Sequence, residues 1–157
     1  MKPEIGISNK HLESSVQLLS EFLADEMTLY IKTRKYHWNV SGDSFMELHQ
    51  LFLKQYTELE ETVDLIAERI NKLGANAIGT MQEFMELSRI KEHAGKYPEQ
   101  KEMLKDLLCD HEMVCVELRK GIEKAADKFK DLGTADFLTG LLEQHETSAW
   151  ILRRYLN

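Results

Sequence analysis

The sequence predicts an all-α protein: a four-helix bundle with a short fifth helix in the long crossover between the second and third long helices. Three observations carry this. Apolar residues recur at threes and fours along most of the chain, and period-two alternation of Val, Ile and Thr is absent. Only two prolines occur, Pro3 and Pro98, so few positions force a break. The breaks that do occur, at Ser41-Gly42, Gly74, Pro98 and Gly133, leave four helical segments long enough to build a bundle.

The first helix is expected from Ser8 or Asn9 to Asn39, with Leu12, Val16, Leu19, Leu23, Met27, Tyr30 and Ile31 as its stripe. Asp43 or Ser44 can cap the second, whose apolar series runs from Phe45 through Phe52, Leu59 and Ile66 to Leu73. Gly74 supplies its C-terminal stop. Residues 80–90 read as a short crossing helix, and the 74–97 connection is too long for a hairpin turn. Pro98 opens the third long helix, with Leu104, Leu108, His111, Cys115, Leu118 and Ile122 on its apolar face. Thr134 is the expected cap of the last, which carries Leu138, Leu142, His145, Ala149 and Leu152.

The 157 residues are read as one domain, 1–157, with enough chain for a real core. No apolar run is long enough to cross a membrane, and MKPEIGISNK lacks the apolar centre of a signal peptide, so a cytoplasmic protein is expected. The net charge of −7 opposes an electrostatic grip on nucleic acid and suits either cations or plain solubility. Cys109 and Cys115 are six residues apart, a spacing that suits neither a local disulfide nor a CxxC site, and both read as buried small apolar residues.

Chemistry is sought first among the six histidines. His11 and His93 sit near helix ends and read as solvated. His111 and His145 lie on apolar stripes, as bonded core histidines or as ligands. His37 and His49 flank the Ser-Gly-Asp break. The Glu-x-x-His pairs that hold two irons inside many bundles are missing, because the residues three before the histidines are Ser8, Arg34, Met46, Ile90, Leu108 and Leu142. Asp64 and Glu68, at i and i+4, share one helix face; they are either two oxygen ligands suited to Fe(II), Mn(II) or Zn(II) or a solvated acidic pair.

Spacing limits how these groups can combine. His49 and Asp64 are 15 residues apart on one helix, about 22 Å along its axis at 1.5 Å per residue. His37 stays near His49. One chain therefore cannot bring both histidines and both carboxylates to one ion. Two chains packing these helices antiparallel about a two-fold axis can, and would form the site twice.

The run YHWNVSGDSFMELHQLF, followed by DLIAERINKLG and by GTADFLTGLLEQHETSAWILRRYL, resembles the Dps family of ferritin-like mini-ferritins over residues 10–156. The resemblance implies a ferritin-like bundle assembled into hollow homo-oligomers, dodecamers in that family. It implies iron as the bound metal, with Fe(II) oxidised by hydrogen peroxide or dioxygen and stored as ferric mineral. By resemblance, His37 and His49 from one subunit and Asp64 and Glu68 from its partner are the metal ligands. Trp38 stands beside the site, as a shield against stray oxidants or as a packing residue, and Arg69 pairs with a carboxylate or stays at the surface. Asp127 and Asp136 match the acidic pores through which iron enters; Asp136 can equally serve the first turn of the last helix.

One departure is plain. The family's acidic residue four after the second histidine is replaced by Leu53, which puts full occupancy of the second iron position in doubt. DNA binding through a lysine-rich tail is not expected, since the N-terminus carries only Lys2 and Lys10 with Glu4 between them. The other readings are a DNA-compacting stress-protection scaffold with little ferroxidase activity and a metal-free helical interaction protein.

Overall fold

In the computed structural model, which describes residues 3–157, the elements follow the expected order. They are α1 (Asn9–Asn39), α2 (Phe45–Lys72), α3 (Met81–Leu87), α4 (Gln100–Glu123), a π-helical turn (Lys124–Lys128) and α5 (Leu132–Leu156). Lys2, counted above among the basic residues, lies outside the described residues. No strand occurs among the described residues.

Local chemistry sets the boundaries. The Ser8 side chain accepts from the His11 amide at the start of α1. Ser44 is the N-cap residue of α2 but makes no side-chain cap bond. That helix ends in a Schellman motif: Ala75 N donates to Ile70 O and Gly74 N to Asn71 O, with Gly74 at φ 88°. Thr80 and Glu83 close a reciprocal capping box on α3.

The last helix begins differently from the expectation. Its N-cap is Asp131, not Thr134. Asp131 accepts from the Thr134 amide at 3.0 Å and from its hydroxyl at 2.6 Å. Arg69, from α2, completes the knot by donating to Asp131 at 3.1 Å and to Thr134 Oγ1 at 3.2 Å. Arg69 is thus a structural residue that ties α2 to the start of α5. Asp136 then falls in the second turn of α5, where the helix dipole has faded, so its expected first-turn role does not hold.

Burial would raise the Asp131 pKa, but the bonds from Thr134 and the Arg69 charge outweigh it and hold the carboxyl below the usual range. Its stabilising effect is therefore present above the ordinary carboxylate pKa and is lost as pH falls through the lower folded value. Asp131→Ala is expected to cost about 2–3 kcal/mol, the loss of a cap plus a partly orphaned guanidinium, read as the shift in denaturant midpoint at neutral pH.

Helices α1 and α2 run antiparallel, with Tyr30 against Tyr56 and His37 against His49. Helices α4 and α5 do the same, with Glu112 bonded to Arg153 and Arg119 to Glu146. The two pairs bury Leu19, Phe22, Leu29, Phe52, Ile66, Leu107, Leu118 and Leu138 between them. Leu104, His111 and Leu118 of the expected α4 stripe are buried, but the buried face is rotated towards Met103, Leu107, Asp110, Val114 and Gly121, and Leu108, Cys115 and Ile122 are only half-buried. Two contacts explain the rotation. Lys32 on α1 draws Asp110 inward at 2.6 Å, and Gly121 admits the Phe22 ring so closely that an added Cβ would meet it at 2.9 Å. The cysteines follow: Cys109 is exposed and Cys115 half-buried, so neither is the fully buried residue expected.

The crossover between α2 and α4 is clamped to α1. Fully buried Asp25 accepts from Arg89 three times, at its backbone N (2.6 Å), Nε (2.8 Å) and Nη2 (2.5 Å). Lys32 Nζ bonds Lys91 O at 3.1 Å, Asp110 at 2.6 Å and Asp106 at 2.8 Å. Burial outweighs the Lys32 charge at Asp110 and lifts its pKa to about 6.

Candidate metal centre

The break at residues 41–44 is a corner that returns the chain so that the end of α1 lies against the start of α2. His37 comes from the last turn of α1 and His49 from the second turn of α2. Their rings stack with centroids 3.8 Å apart and planes 21° apart. His37 Nδ1 lies 2.8 Å from His49 O, and His49 Nδ1 lies 2.9 Å from His37 O. A carbonyl only accepts, so each Nδ1 carries a proton and each neutral ring keeps a bare lone pair on Nε2. Ligating histidines are held this way: the second nitrogen fixes the tautomer and the first faces the metal.

Aromatic side chains surround the pair. Tyr56 meets His37 edge-on at 5.2 Å, and Phe45 lies 5.1 Å from His49. The Arg34 guanidinium sits over Tyr56 (5.0 Å), Tyr30 (5.5 Å) and Trp38 (5.6 Å) and also bonds Tyr30 Oη. Trp38 is 67% exposed, so within this chain it does little packing. Tyr56, Arg34 and Phe45 were not among the expected site residues. Tyr56 alone left a trace in the sequence, being seven residues, two turns, beyond His49 on the same face.

The two carboxylates stand apart from the histidines. Asp64 and Glu68 are both exposed on α2, and Glu68 is paired with Lys72 at 2.9 Å. At 100° per residue, Asp64 lies about 60° around the helix from His49, on the same side of α2 but four turns away. Glu60, Val63, Asp64 and Ala67 line a shallow depression there. Among the described residues, no group of three or more His, Cys, Asp and Glu side chains within the chain is placed to hold a metal ion. Leu53, one turn after His49, is half-buried and offers no oxygen.

The remaining candidates separate. Asp127 is exposed on the π-helical turn and Asp136 is exposed on α5. His111 and His145 are bonded to each other in the core, the first of the two readings open for them. His93 is exposed and His11 half-buried.

The bundle, its crossover helix and the paired histidines at the corner define a ferritin-like protein, and the family model of the ferritin-like domain matches residues 16–157. The relatives narrow this. A low temperature-induced, uncharacterized protein of Nostoc sp. is 45% identical over 152 residues, covering 97% of this chain and 85% of its own length. The DNA protection during starvation protein 2 of Bacillus anthracis is 39% identical over 143 residues, covering 90% of this chain and 96% of its own. In structure, DpsC from Streptomyces coelicolor superposes with a TM-score of 0.95 at 30% identity, covering all of this chain and 91% of that one. The chain belongs to the Dps family of ferritin-like proteins. No helix among the described residues is long and apolar enough to cross a membrane.

Proposed function

We propose that this protein oxidises Fe(II), with hydrogen peroxide as the preferred oxidant, at sites shared between two subunits, and stores the ferric product inside a hollow, dodecameric shell. The carrying observation is the reciprocal pair of Nδ1 bonds, which leaves the Nε2 of each of two stacked imidazoles without a hydrogen bond to the chain at one end of α2. Iron is the substrate here. His37 and His49 supply nitrogen ligands from one subunit, and Asp64 and Glu68 supply oxygen ligands from its two-fold partner.

The donor set suits this. Imidazole and carboxylate together are the ligand types of non-haem Fe(II) sites. Holding two ferrous ions together lets one peroxide take two electrons, one from each iron. Its O–O bond is then cleaved to the level of water, and hydroxyl radical is not released. Leu53 leaves one iron position short of an oxygen ligand, so that ion is held more weakly. Trp38, exposed beside the paired histidines, stands where a second subunit would cover it and where it can intercept a stray oxidant. Asp127 and Asp136, repeated around three-fold contacts, would line an entry that draws cations inward.

A DNA-compacting role has less to rest on. The net charge of −7 opposes a grip on phosphates at physiological salt.

The direct test is stopped-flow absorbance of ferric product from the assembled protein with Fe(II) in the presence of peroxide or of dioxygen. Faster oxidation with peroxide is expected. A rate no greater than that of Fe(II) without protein would contradict the assignment.

A further inference from the structure

The bundle interior holds a polar chain that neither the histidine corner nor the crossover clamp uses. Glu26 on α1, His145 on α5 and His111 on α4 are 0%, 2% and 1% exposed. His145 Nε2 lies 2.7 Å from Glu26 Oε1, and the Nδ1 atoms of His145 and His111 face each other at 2.9 Å. At the two ends, Glu26 Oε2 and His111 Nε2 are buried with no hydrogen-bond partner.

The contact between the two Nδ1 atoms has a strict requirement. At that distance one nitrogen donates and the other accepts, so the gap holds one proton. An imidazolium carries protons on both nitrogens. The two rings therefore cannot both be charged while the contact stands. Glu26 can balance one buried cation and no more. Among the described residues no other buried ionisable side chain relieves the pair: besides His145, α5 buries only the uncharged polar residues Thr134 and Ser148, and Asp131 at its cap is held by Arg69. On α1 the other buried ionisable groups are Asp25, held by Arg89, Lys32 and Tyr36, bonded to Asp106 and Asp110, and His37 at the corner. On α4 only Asp110 is buried besides His111, and it belongs to Lys32. The buried polar residues of α2 are the uncharged Gln55 and Thr62, and α3 buries only Phe84.

We infer that Glu26, His145 and His111 form an acid-sensitive latch, which ties α1, α4 and α5 together while at least one of the two rings is neutral and parts when both are charged. Burial first, and then the neighbouring His145, holds the His111 pKa well below the ordinary histidine value. In the unfolded chain the same ring titrates at about 6.5. Between those two values the unfolded state binds the extra proton and the folded state does not. The latch is thus fully effective above about pH 6.5. Below it, the folding constant falls by about tenfold per pH unit on account of this one group, until the folded pKa is reached.

Two measurements test this on the full-length protein. In the first, denaturant midpoints of wild type and His111→Leu are followed from about pH 8 to about pH 5, across the ordinary histidine range. Leu fills the space without a titrating group, so the wild type should lose stability more steeply than the variant. In the second, solid-state 15N spectra of wild type labelled on histidine cover the same range and need no variant to fold. One ring should stay neutral, in an N–H···N contact, at a pH where the exposed histidines are already cationic. Equal pH slopes for wild type and variant, or spectra in which all six rings charge together, would overturn the latch.

Discussion

Asp64→Asn is expected to slow peroxide-driven oxidation of Fe(II) by roughly 100-fold or more and to leave the fold and assembly intact. The magnitude follows from the ligand's role. Removing a residue that merely orients a ligand costs about 10- to 100-fold, and loss of a ligating oxygen costs at least as much. Asn keeps the size of the side chain and removes the charge that offsets the ferrous ion. The site is a clean probe because Asp64 is exposed and carries no hydrogen bond to the core, so a stability change within about 0.5 kcal/mol is expected. His37→Ala should slow turnover similarly, but it also removes the stack with His49 and one of the two reciprocal bonds, at about 1 kcal/mol. Stopped-flow rates with sedimentation velocity separate the two effects. Wild-type turnover in assembled Asp64→Asn would remove this residue from the site.

Arg89→Ala is the substitution expected to cost most stability, about 3–5 kcal/mol. Asp25 has no access to solvent, and among the described residues its one ion pair is with Arg89, with both carboxylate oxygens engaged. Burial already pushes the Asp25 pKa up against the pull of Arg89. Without the guanidinium, the carboxylate must stay charged in the core or take a proton. Arg89 also stacks on Phe22 at 4.9 Å and reaches Glu117 at 3.2 Å, so the crossover loses its tie to both α1 and α4. Equilibrium denaturation of the variant checks the figure. Asp25→Asn with Arg89→Ala should recover part of the loss, since the orphaned charge is then gone.

Much of the fold was legible because its signals are local. The stops at Gly42, Gly74 and Pro98 and the apolar series between them fix four long helices, and the short crossover helix is marked by Thr80 and Glu83. The rotation of α4 was not legible. Its causes are long-range: Phe22 packs on Gly121, and Lys32 bonds Asp110, 78 residues away, where a Lys buried by two carboxylates looks in sequence like a surface Lys. The cap of α5 was misplaced by three residues for a similar reason: Asp131 and Thr134 are both good caps, and Arg69, 62 residues before Asp131, decides between them. At the candidate site, the pairing of His37 with His49 followed from the corner at Ser41-Gly42. The aromatic surround did not, because Arg34 and Tyr56 acquire their roles only when α1 and α2 pack. The acidic groups meet no histidine within the chain, and spacing along α2 accounts for that.

The central claim is that each iron site takes histidines from one subunit and carboxylates from another. Mixed assembly tests it most directly. Chains carrying His37→Ala with His49→Ala, and chains carrying Asp64→Ala with Glu68→Ala, should each be inactive when assembled alone. Refolded together, half of the two-fold pairs are mixed, and each mixed pair rebuilds one complete site of its two. Ferrous oxidation should therefore return to about a quarter of the wild-type rate. Mixed assemblies as inactive as their parents would contradict the shared site.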